Sequence, residues 1–193
     1  MRKLVLTLTL VTIGVVPCFS RPAHAQTVDS TSRLAARTPR AEDVASQEAI
    51  VAALYDVISG PAGQRRNWDR MRSLFVPGAR LIPAIYRPDS VASLRMLDVE
   101  QYISRAGPGL ESSGFFEKEI ARRTERYGGM THVFSTYESR RASADPVPFA
   151  RGINSIQLFF DGRRWWVVTV FWEGERPVNP IPASYLKSPA AGK

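Results

Sequence analysis

Residues Ala150 to Glu173 read ARGINSIQLFFDGRRWWVVTVFWE, and this stretch decides the fold of the chain. Two runs rich in β-branched and aromatic residues flank Asp161-Gly162, a pair that supplies the positive φ of a short turn. We therefore predict that the two runs form the longest strand pair of a single sheet.

One face of this predicted hairpin is almost entirely apolar. If the turn has three residues, Asp161 to Arg163, and contains a bulge, that face holds Ile156, Leu158, Phe160, Trp166, Val168, Val170 and Trp172. A two-residue turn would instead place even positions of one strand beside odd positions of the next. An apolar face of this size has to be covered by other elements, so we predict that Trp166 and Trp172 are largely buried.

Helix signals come before most strand signals along the chain. Ser46 can cap a helix that stops at Gly60-Pro61, and Asp98 can cap another that stops at Gly107-Pro108. A shorter helical turn is predicted around Trp68 to Phe75. Strands are predicted at Ala79–Tyr86 and Met130–Arg140, and Asp89–Leu97 reads as a weak strand or turn; the run Phe115–Arg126 fits either a helix or a curved, mostly exposed strand.

This order of elements predicts an α+β fold. The helices at the N-terminal side should pack on one face of a strongly curved, mainly antiparallel sheet. The interior of such a curved sheet is a natural place for a cone-shaped pocket, closed by the helices.

The later strands resemble a known group of proteins. The segment GGMTHVFSTYESR (Gly128 to Arg140) and the hairpin quoted above are similar to the nuclear transport factor 2-like superfamily, over a span from about Val44 to Glu173. The superfamily comprises cone-shaped α+β domains and includes SnoaL-like polyketide cyclases and ketosteroid isomerases. The resemblance implies a scaffold and no particular reaction, because such domains serve as enzymes, binding modules and assembly domains.

The N-terminal residues predict export. A basic start, Met1-Arg2-Lys3, precedes the apolar run Leu4 to Val16, which is too short for a membrane span, and Ala23-His24-Ala25 fits a cleavage site. We therefore predict a signal peptide over 1–25 and a periplasmic or secreted protein. A lipoprotein is a minor alternative because Cys18 follows the apolar run, but Val15-Val16-Pro17 lacks the small residues that lipidation needs.

Cleavage changes what the remaining chain can do. It removes three basic residues and no acidic one, so the formal charge falls from +8 to +5, and it removes the single cysteine and one of the two histidines. We predict a flexible leader over 26–43, one domain over 44–176 and a proline-rich tail over 177–193. No membrane span, disulfide, metal site or cofactor is predicted in this part, and export disfavours nucleic acid as a partner.

Six residues are candidates for lining the pocket of the cone, and we predict His132, Asn154, Tyr55, Tyr86, Tyr102 and Trp172. His132 is a suitable proton carrier near neutral pH, and Asn154 is an amide on the apolar face of the hairpin. The tyrosines come from elements that should line or close the cone, where a hydroxyl can serve as a polar handle.

The resemblance to ketosteroid isomerases would imply a carboxylate base with a tyrosine and a protonated carboxylic acid as hydrogen-bond donors. On the predicted strands and their turn from Met130 to Trp172, the only carboxylates are Glu138 and Asp161, and Asp161 lies in the turn. We therefore predict an exported protein that binds a small apolar molecule or serves as an accessory protein. The alternative is a SnoaL-like enzyme with His132 or a pocket tyrosine as proton carrier.

The other face of the last strands mixes polar and aromatic residues, and we assign to it Ser135, Tyr137, Ser155, Gln157, Val167, Thr169 and Phe171. A face of this composition suits a moderately polar interface, so a homodimer with sheets packed back to back is predicted. The competing prediction is a monomer in which the tail, through Ile181, Tyr185 and Leu186, folds over part of this face.

Overall fold

A computed structural model of the chain describes residues 38–87 and 91–188. The predicted signal peptide, and the leader up to residue 37, lie outside the described residues. In the part that is described, no helix is both long enough and apolar enough to cross a bilayer.

The α+β prediction is confirmed: a few helices pack against a six-stranded mixed sheet that does not close on itself. The helices are α1 (Ala41–Val44), α2 (Gln47–Ile58), α3 (Trp68–Leu74) and α4 (Val99–Ser113), with a short 3₁₀ helix at Ala183–Tyr185. The strands are β1 (Phe75–Ile85), β2 (Ser93–Leu94), β3 (Phe116–Tyr127), β4 (Met130–Arg140), β5 (Ala150–Phe160) and β6 (Trp165–Gly174). Their order in the sheet is β2-β1-β6-β5-β4-β3, and only β1 and β6 pair in parallel.

Helix α2 covers the hydrophobic core on the inner side of the sheet. The Ser46 side chain accepts the Ala49 N–H at 3.0 Å, which caps the helix as predicted, and Ile50, Val51 and Leu54 are buried against the sheet. Asp43, which the sequence placed in the flexible leader, is buried in α1 and pairs with Arg70 at 2.7 Å. The folded unit therefore includes the last residues of the predicted leader.

Helix α4 is longer than predicted. Its N-cap is Asp98, which forms a capping box with Gln101 as the sequence indicates, but the helix continues through Gly107-Pro108 to Ser113. Its last turn is held from outside, because the Leu110 carbonyl accepts from the Arg66 guanidinium at 2.8 Å and the Glu111 carboxylate accepts from the Trp68 indole at 2.9 Å. These tertiary contacts override the helix-stop signal.

The ambiguous segment is strand β3. It pairs with β4 along its whole length, from Phe116 opposite Arg140 to Tyr127 opposite Met130. Its second half is exposed because it is the edge of the sheet.

The β5–β6 hairpin differs from the prediction in its turn. Phe160 pairs with Trp165, so the loop has four residues and the bulge lies inside β6 at Val168, between the pairs Leu158–Val167 and Gln157–Thr169. An even-length loop puts the buried face on odd positions at the start of β6, and the bulge returns it to even positions. Trp165 is therefore buried, whereas Trp166, predicted to be in the core, is on the outer face.

The faces of β4 also differ from the prediction. Thr131, Val133 and Ser135 are fully buried, so the odd positions face the helices. Tyr137 and Val167, which were assigned to the outer face, are buried as well. The outer face carries the even positions of β4 and the odd positions of β5.

The tail packs on this outer face. The Thr136 hydroxyl donates to the Tyr185 carbonyl at 2.6 Å, and the Tyr185 ring lies 5.2 Å from the ring of Phe134, centre to centre. The Arg123 guanidinium donates to the Ser184 carbonyl at 2.8 Å. The tail therefore covers the outer face over β3 and β4.

Candidate functional site

A cavity of about 120 Å³ lies inside the cone, between the helices and the inner face of the sheet. Its apolar wall consists of Leu54, Ile58, Met71, Leu81, Phe115 and Val170. Its polar and aromatic groups are Tyr55, Tyr102, Glu117, Tyr137, Asn154 and Trp172. A mostly apolar hollow with a few converging polar groups is the usual form of a small-molecule site.

Glu117 is the acidic group of this cavity. Its side chain projects from β3, and its carboxyl group accepts a hydrogen bond from the Ser139 hydroxyl at 2.8 Å. Burial raises the pKa of Glu117 to about 7, and the hydrogen bonds from Ser139 and Asn154 offset only part of that effect. The carboxyl group therefore exchanges its proton near neutral pH.

Tyr55 belongs to a directed hydrogen-bond chain. The Asn154 amide donates to the Tyr55 hydroxyl at 3.0 Å, and the Tyr55 and Ser135 hydroxyls lie 2.6 Å apart. Because the Ser135 hydroxyl donates to the Glu119 carboxyl group, the proton of Tyr55 must point to Ser135. Tyr55 thus offers its oxygen to the cavity as an acceptor only, and burial raises its pKa.

The hydroxyls of Tyr102 and Tyr137 are the free donors of the cavity. No residue of the described ranges is hydrogen-bonded to either hydroxyl. Burial raises the pKa of both phenols, and the nearby charge of Glu117 raises it further. Gly152 makes room for Tyr137, because a Cβ at that position would lie 2.4 Å from the hydroxyl oxygen.

Four of the predicted pocket residues line the cavity: Asn154, Tyr55, Tyr102 and Trp172. Trp172 and Tyr102 meet edge to face, with ring centres 6.2 Å apart. This pair brings α4 and β6 together at one side of the cavity.

His132 does not reach the cavity, contrary to the prediction. It lies on the outer face of β4, where its Nε2 is 2.9 Å from the Ser155 hydroxyl. The prediction failed because both faces of β4 mix polar and apolar residues, so alternation alone could not tell them apart.

Tyr86 also lies away from the cavity. It follows the end of β1, is exposed, and donates from its hydroxyl to the Glu173 carboxylate at 3.1 Å. The Arg176 guanidinium lies 3.6 Å from the centre of its ring.

Sequence reasoning missed Glu117 and placed Tyr137 on the wrong face. Only carboxylates from Met130 onward fell on predicted strands, whereas in the structure strand β3 already begins at Phe116. A usable signal was present, because Phe115 and Glu117 have the i, i+2 spacing of one strand face, and both line the cavity. Reading the segment as a strand would have found the acid.

A wider groove of about 440 Å³ lies between α2 and β3. Tyr55 and Glu117 line both this groove and the inner cavity, so they stand at the boundary between them. The groove also contains Glu119 and Arg122, which form an ion pair at 2.8 Å. It gives Glu117 a second approach from solvent.

A metal centre is not supported by the side chains at hand. Across residues 38–87 and 91–188, no group of three or more histidine, cysteine, aspartate or glutamate side chains is placed to hold a metal ion.

Comparisons with known proteins show similarity in structure only. No protein-family model matches the chain, and no curated protein matches it significantly in sequence. A protein of unknown function with a cystatin-like fold from Nostoc punctiforme is similar with a TM-score of 0.51 and 10% identity, over 69% of this chain and 90% of that one.

Two further solved structures are described as NTF2-like proteins of unknown function. The one from Silicibacter pomeroyi has a TM-score of 0.48 and 11% identity over 68% of this chain and 94% of its own. The one from Shewanella baltica has a TM-score of 0.44 and 12% identity over 68% of this chain and 98% of its own. The likeness to the Nostoc protein shows that this chain has a cystatin-like fold.

Proposed function

We propose that this protein binds a small, largely apolar molecule that carries a carbonyl or hydroxyl group, inside the cone. The observation that carries the proposal is the placement of Glu117, Tyr102 and Tyr137 around one apolar cavity, with both phenol hydroxyls lacking a partner in the described residues. A phenol hydroxyl that no protein group occupies can donate a hydrogen bond to a ligand oxygen.

The ligand should be uncharged and compact. A cavity of about 120 Å³ holds only a small molecule, and any larger ligand has to extend past Tyr55 and Glu117 into the groove between α2 and β3. An anion would meet Glu117 at close range in a poorly hydrated site, which disfavours it. Small cyclic ketones and phenols have the required shape and polarity.

The experiment is a titration of the protein with cyclohexanone and, separately, with phenol. Binding is monitored through the NMR chemical shifts of the protein. The double variant Tyr102→Phe/Tyr137→Phe removes two hydroxyls and keeps both rings, so affinity should fall about tenfold or more. Tyr127→Phe, which changes an exposed tyrosine on the outer face, is the matched control. Equal affinity of the double variant and the control would reject the proposal.

Acid–base catalysis on such a ligand is the second candidate. It is favoured by the burial of Glu117 in the same cavity as the hydroxyls of Tyr102 and Tyr137. Burial raises the pKa of Glu117 to about 7, and a group that exchanges its proton near the working pH is the most effective proton carrier. Tyr102 and Tyr137 could then donate to an oxygen on which negative charge develops. The sequence offered no acid and base that converge, and this disfavoured an enzyme. Glu117 lines the cavity beside Tyr102 and Tyr137, so that objection is removed.

Enzyme and binding protein are distinguished by proton exchange in the ligand. If Glu117 acts as a base, deuterium from heavy water should replace hydrogen on the carbon next to the carbonyl of a bound ketone. Glu117→Gln should abolish this exchange. Glu138→Gln, on the outer face, is the control. Binding without deuterium incorporation supports the binding protein alone.

We further propose that the protein acts outside the cytoplasm, in the periplasm or after secretion. The support is the basic start, the short apolar run and the Ala23-His24-Ala25 site in the sequence. N-terminal sequencing of protein from the cell envelope should find Gln26 first, and a chain that keeps Met1 in the cytoplasm would reject export.

A further inference from the structure

Four large apolar side chains form one row across the outer face of the sheet. Tyr127 pairs with Met130, Met130 with Phe159, and Phe159 with Trp166, so the row crosses β3, β4, β5 and β6. Cross-strand partners lie on the same side of a sheet, and here that side faces away from the core. We call these four residues the end row.

Three of the four residues of the end row are exposed to solvent, and Trp166 is half-buried. Tyr127 is 84% exposed, Met130 60% and Phe159 45%. It lies beside two turns, Gly128-Gly129 and residues 161–164, and these turns are in contact because the Phe160 N–H donates to the Gly129 carbonyl at 2.8 Å. A contiguous exposed apolar row of this kind marks an interaction surface.

Cationic side chains border the end row. Arg163 is exposed in the turn at residues 161–164, and the Arg164 guanidinium stacks 3.5 Å from the ring centre of Trp166. Arg126 is also exposed at this end of the sheet, but it pairs with Thr131 and lies on the other face, with its guanidinium 5.1 Å from the ring centre of Trp165. Asp161 is the one acidic residue of the two turns. It accepts hydrogen bonds from the Trp166 indole at 2.7 Å and from the backbone N–H groups of Arg163 and Arg164 at 2.8 Å, so its carboxylate is held within the turn.

The rest of the outer face is different. The next row is polar, with Glu125, His132, Gln157 and Thr169. The row after that contains Phe134, on which the tail packs through Tyr185. A second copy of the chain approaching the face sheet to sheet would therefore meet the tail, whereas a broad surface approached by the turn end would meet the end row alone.

We propose that the end row and its arginines dock the protein on an anionic lipid surface. Tyrosine, tryptophan, phenylalanine and methionine side chains favour the boundary between headgroups and acyl chains, and arginine binds lipid phosphates. The exposed basic border is complementary in charge to such lipids. The contact is peripheral, since it uses two turns and no membrane-spanning segment, and it is independent of any ligand in the cone.

The experiment is co-sedimentation with vesicles of phosphatidylcholine, with and without phosphatidylglycerol. It uses the protein as recovered from cells that process it, with its N-terminus read by mass spectrometry, so that every variant carries the same N-terminal residues. The unmodified protein should bind vesicles that contain phosphatidylglycerol and bind pure phosphatidylcholine about tenfold less.

Two variants test the two halves of the surface. Tyr127→Ser/Met130→Ser should lose at least about tenfold in affinity, and Arg126→Gln/Arg163→Gln should lose the preference for phosphatidylglycerol. Leu94→Ser/Val147→Ser is the matched control, because these apolar residues are 58% and 73% exposed and lie elsewhere. Circular dichroism checks that each variant is folded. If the Tyr127→Ser/Met130→Ser variant is unfolded, the Arg126→Gln/Arg163→Gln variant still tests the proposal.

Three results would overturn the proposal. The unmodified protein could leave vesicles of both compositions unbound, or the end-row variant could bind as tightly as the control. The third is a shift in sedimentation from dimer to monomer caused by Tyr127→Ser/Met130→Ser without vesicles, which would assign the end row to contacts between copies of the chain.

Discussion

Glu117 links the chemistry of the cavity to the stability of the fold. Its pKa is raised by burial from 4.5 to about 7, so the folded state holds the proton more tightly than the unfolded state does. The side chain is therefore tolerated best when it is protonated. Between pH 4.5 and 7 the unfolded state binds fewer protons, so this group lowers stability as the pH rises, and the loss is complete above about 7.

Glu117→Gln should remove this pH dependence. Relative to the unmodified protein, the variant should gain roughly 2–3 kcal/mol of unfolding free energy between pH 4.5 and pH 8, since each pKa unit corresponds to about 1.4 kcal/mol. Urea unfolding of both proteins at the two pH values measures the difference. If the difference in unfolding free energy between the variant and the unmodified protein is the same at both pH values, Glu117 titrates normally in the folded protein.

Arg66 is a structural residue that resembles a functional one. It is buried, and its guanidinium donates to five carbonyls, at 2.5 to 3.3 Å: those of Ile58, Gly60, Pro61, Gln64 and Leu110. It thereby closes the ends of α2 and α4 and the loop between α2 and α3. A planar group with five N–H donors does this, and an ammonium group with three donors cannot.

Arg66→Lys should therefore destabilise the protein by about 2–4 kcal/mol, because buried carbonyls lose their partners. Arg65→Lys, at the exposed neighbouring position, should change stability by less than about 0.5 kcal/mol. Thermal unfolding of the two variants at one pH makes the comparison. Similar melting temperatures would contradict the role assigned to Arg66.

At the scale of elements, the bulge at Val168 decides which tryptophan belongs to the core. Trp165→Ala should cost about 3–5 kcal/mol, because the side chain is 5% exposed and packs on Phe160. Trp166→Ala should cost about 1 kcal/mol or less, because its ring lies on the outer face under Arg164. Chemical unfolding of both variants checks this order, and the reverse order would place the bulge elsewhere.

The elements show how far sequence reasoning reached. The hairpin of β5 and β6, the cap of α2 and the bounds of β4 were predictable, since each rests on a local signal such as Asp161-Gly162 or Ser46. The length of α4 was not, because contacts from Arg66 and Trp68 hold its last turn. Such contacts join residues distant in sequence and leave no periodic signal.

The candidate site was predictable in part for the same reason. Asn154 follows from the apolar alternation of β5, and Tyr55 from the helical spacing of α2. Glu117 was missed because its segment fitted two kinds of element, and His132 was misplaced because β4 has two faces of mixed polarity. Glu117, the acidic group of the cavity, therefore lies in the segment whose secondary structure was hardest to predict from the sequence.

For the whole molecule, we propose that the tail decides the state of assembly, since it packs on the outer face of the sheet. The homodimer stays a prediction, and the tail covers Phe134 on the face that the dimer would use. A chain truncated before Pro177 should expose this face and sediment as a dimer at micromolar concentration, while the intact chain sediments as a monomer. A truncated chain that stays monomeric would exclude the sheet-to-sheet dimer.

Glu117 is a carboxyl group inside the cone that exchanges its proton near neutral pH and lines the cavity where a ligand would bind. The most direct test is an NMR titration of the ¹³C-labelled glutamate side chains, with Glu117→Gln used to assign the signal. A pKa for Glu117 of about 7 is expected, with a change when phenol binds. A midpoint near 4.5 that phenol leaves unchanged would show that Glu117 titrates as an ordinary carboxyl group and does not face the ligand.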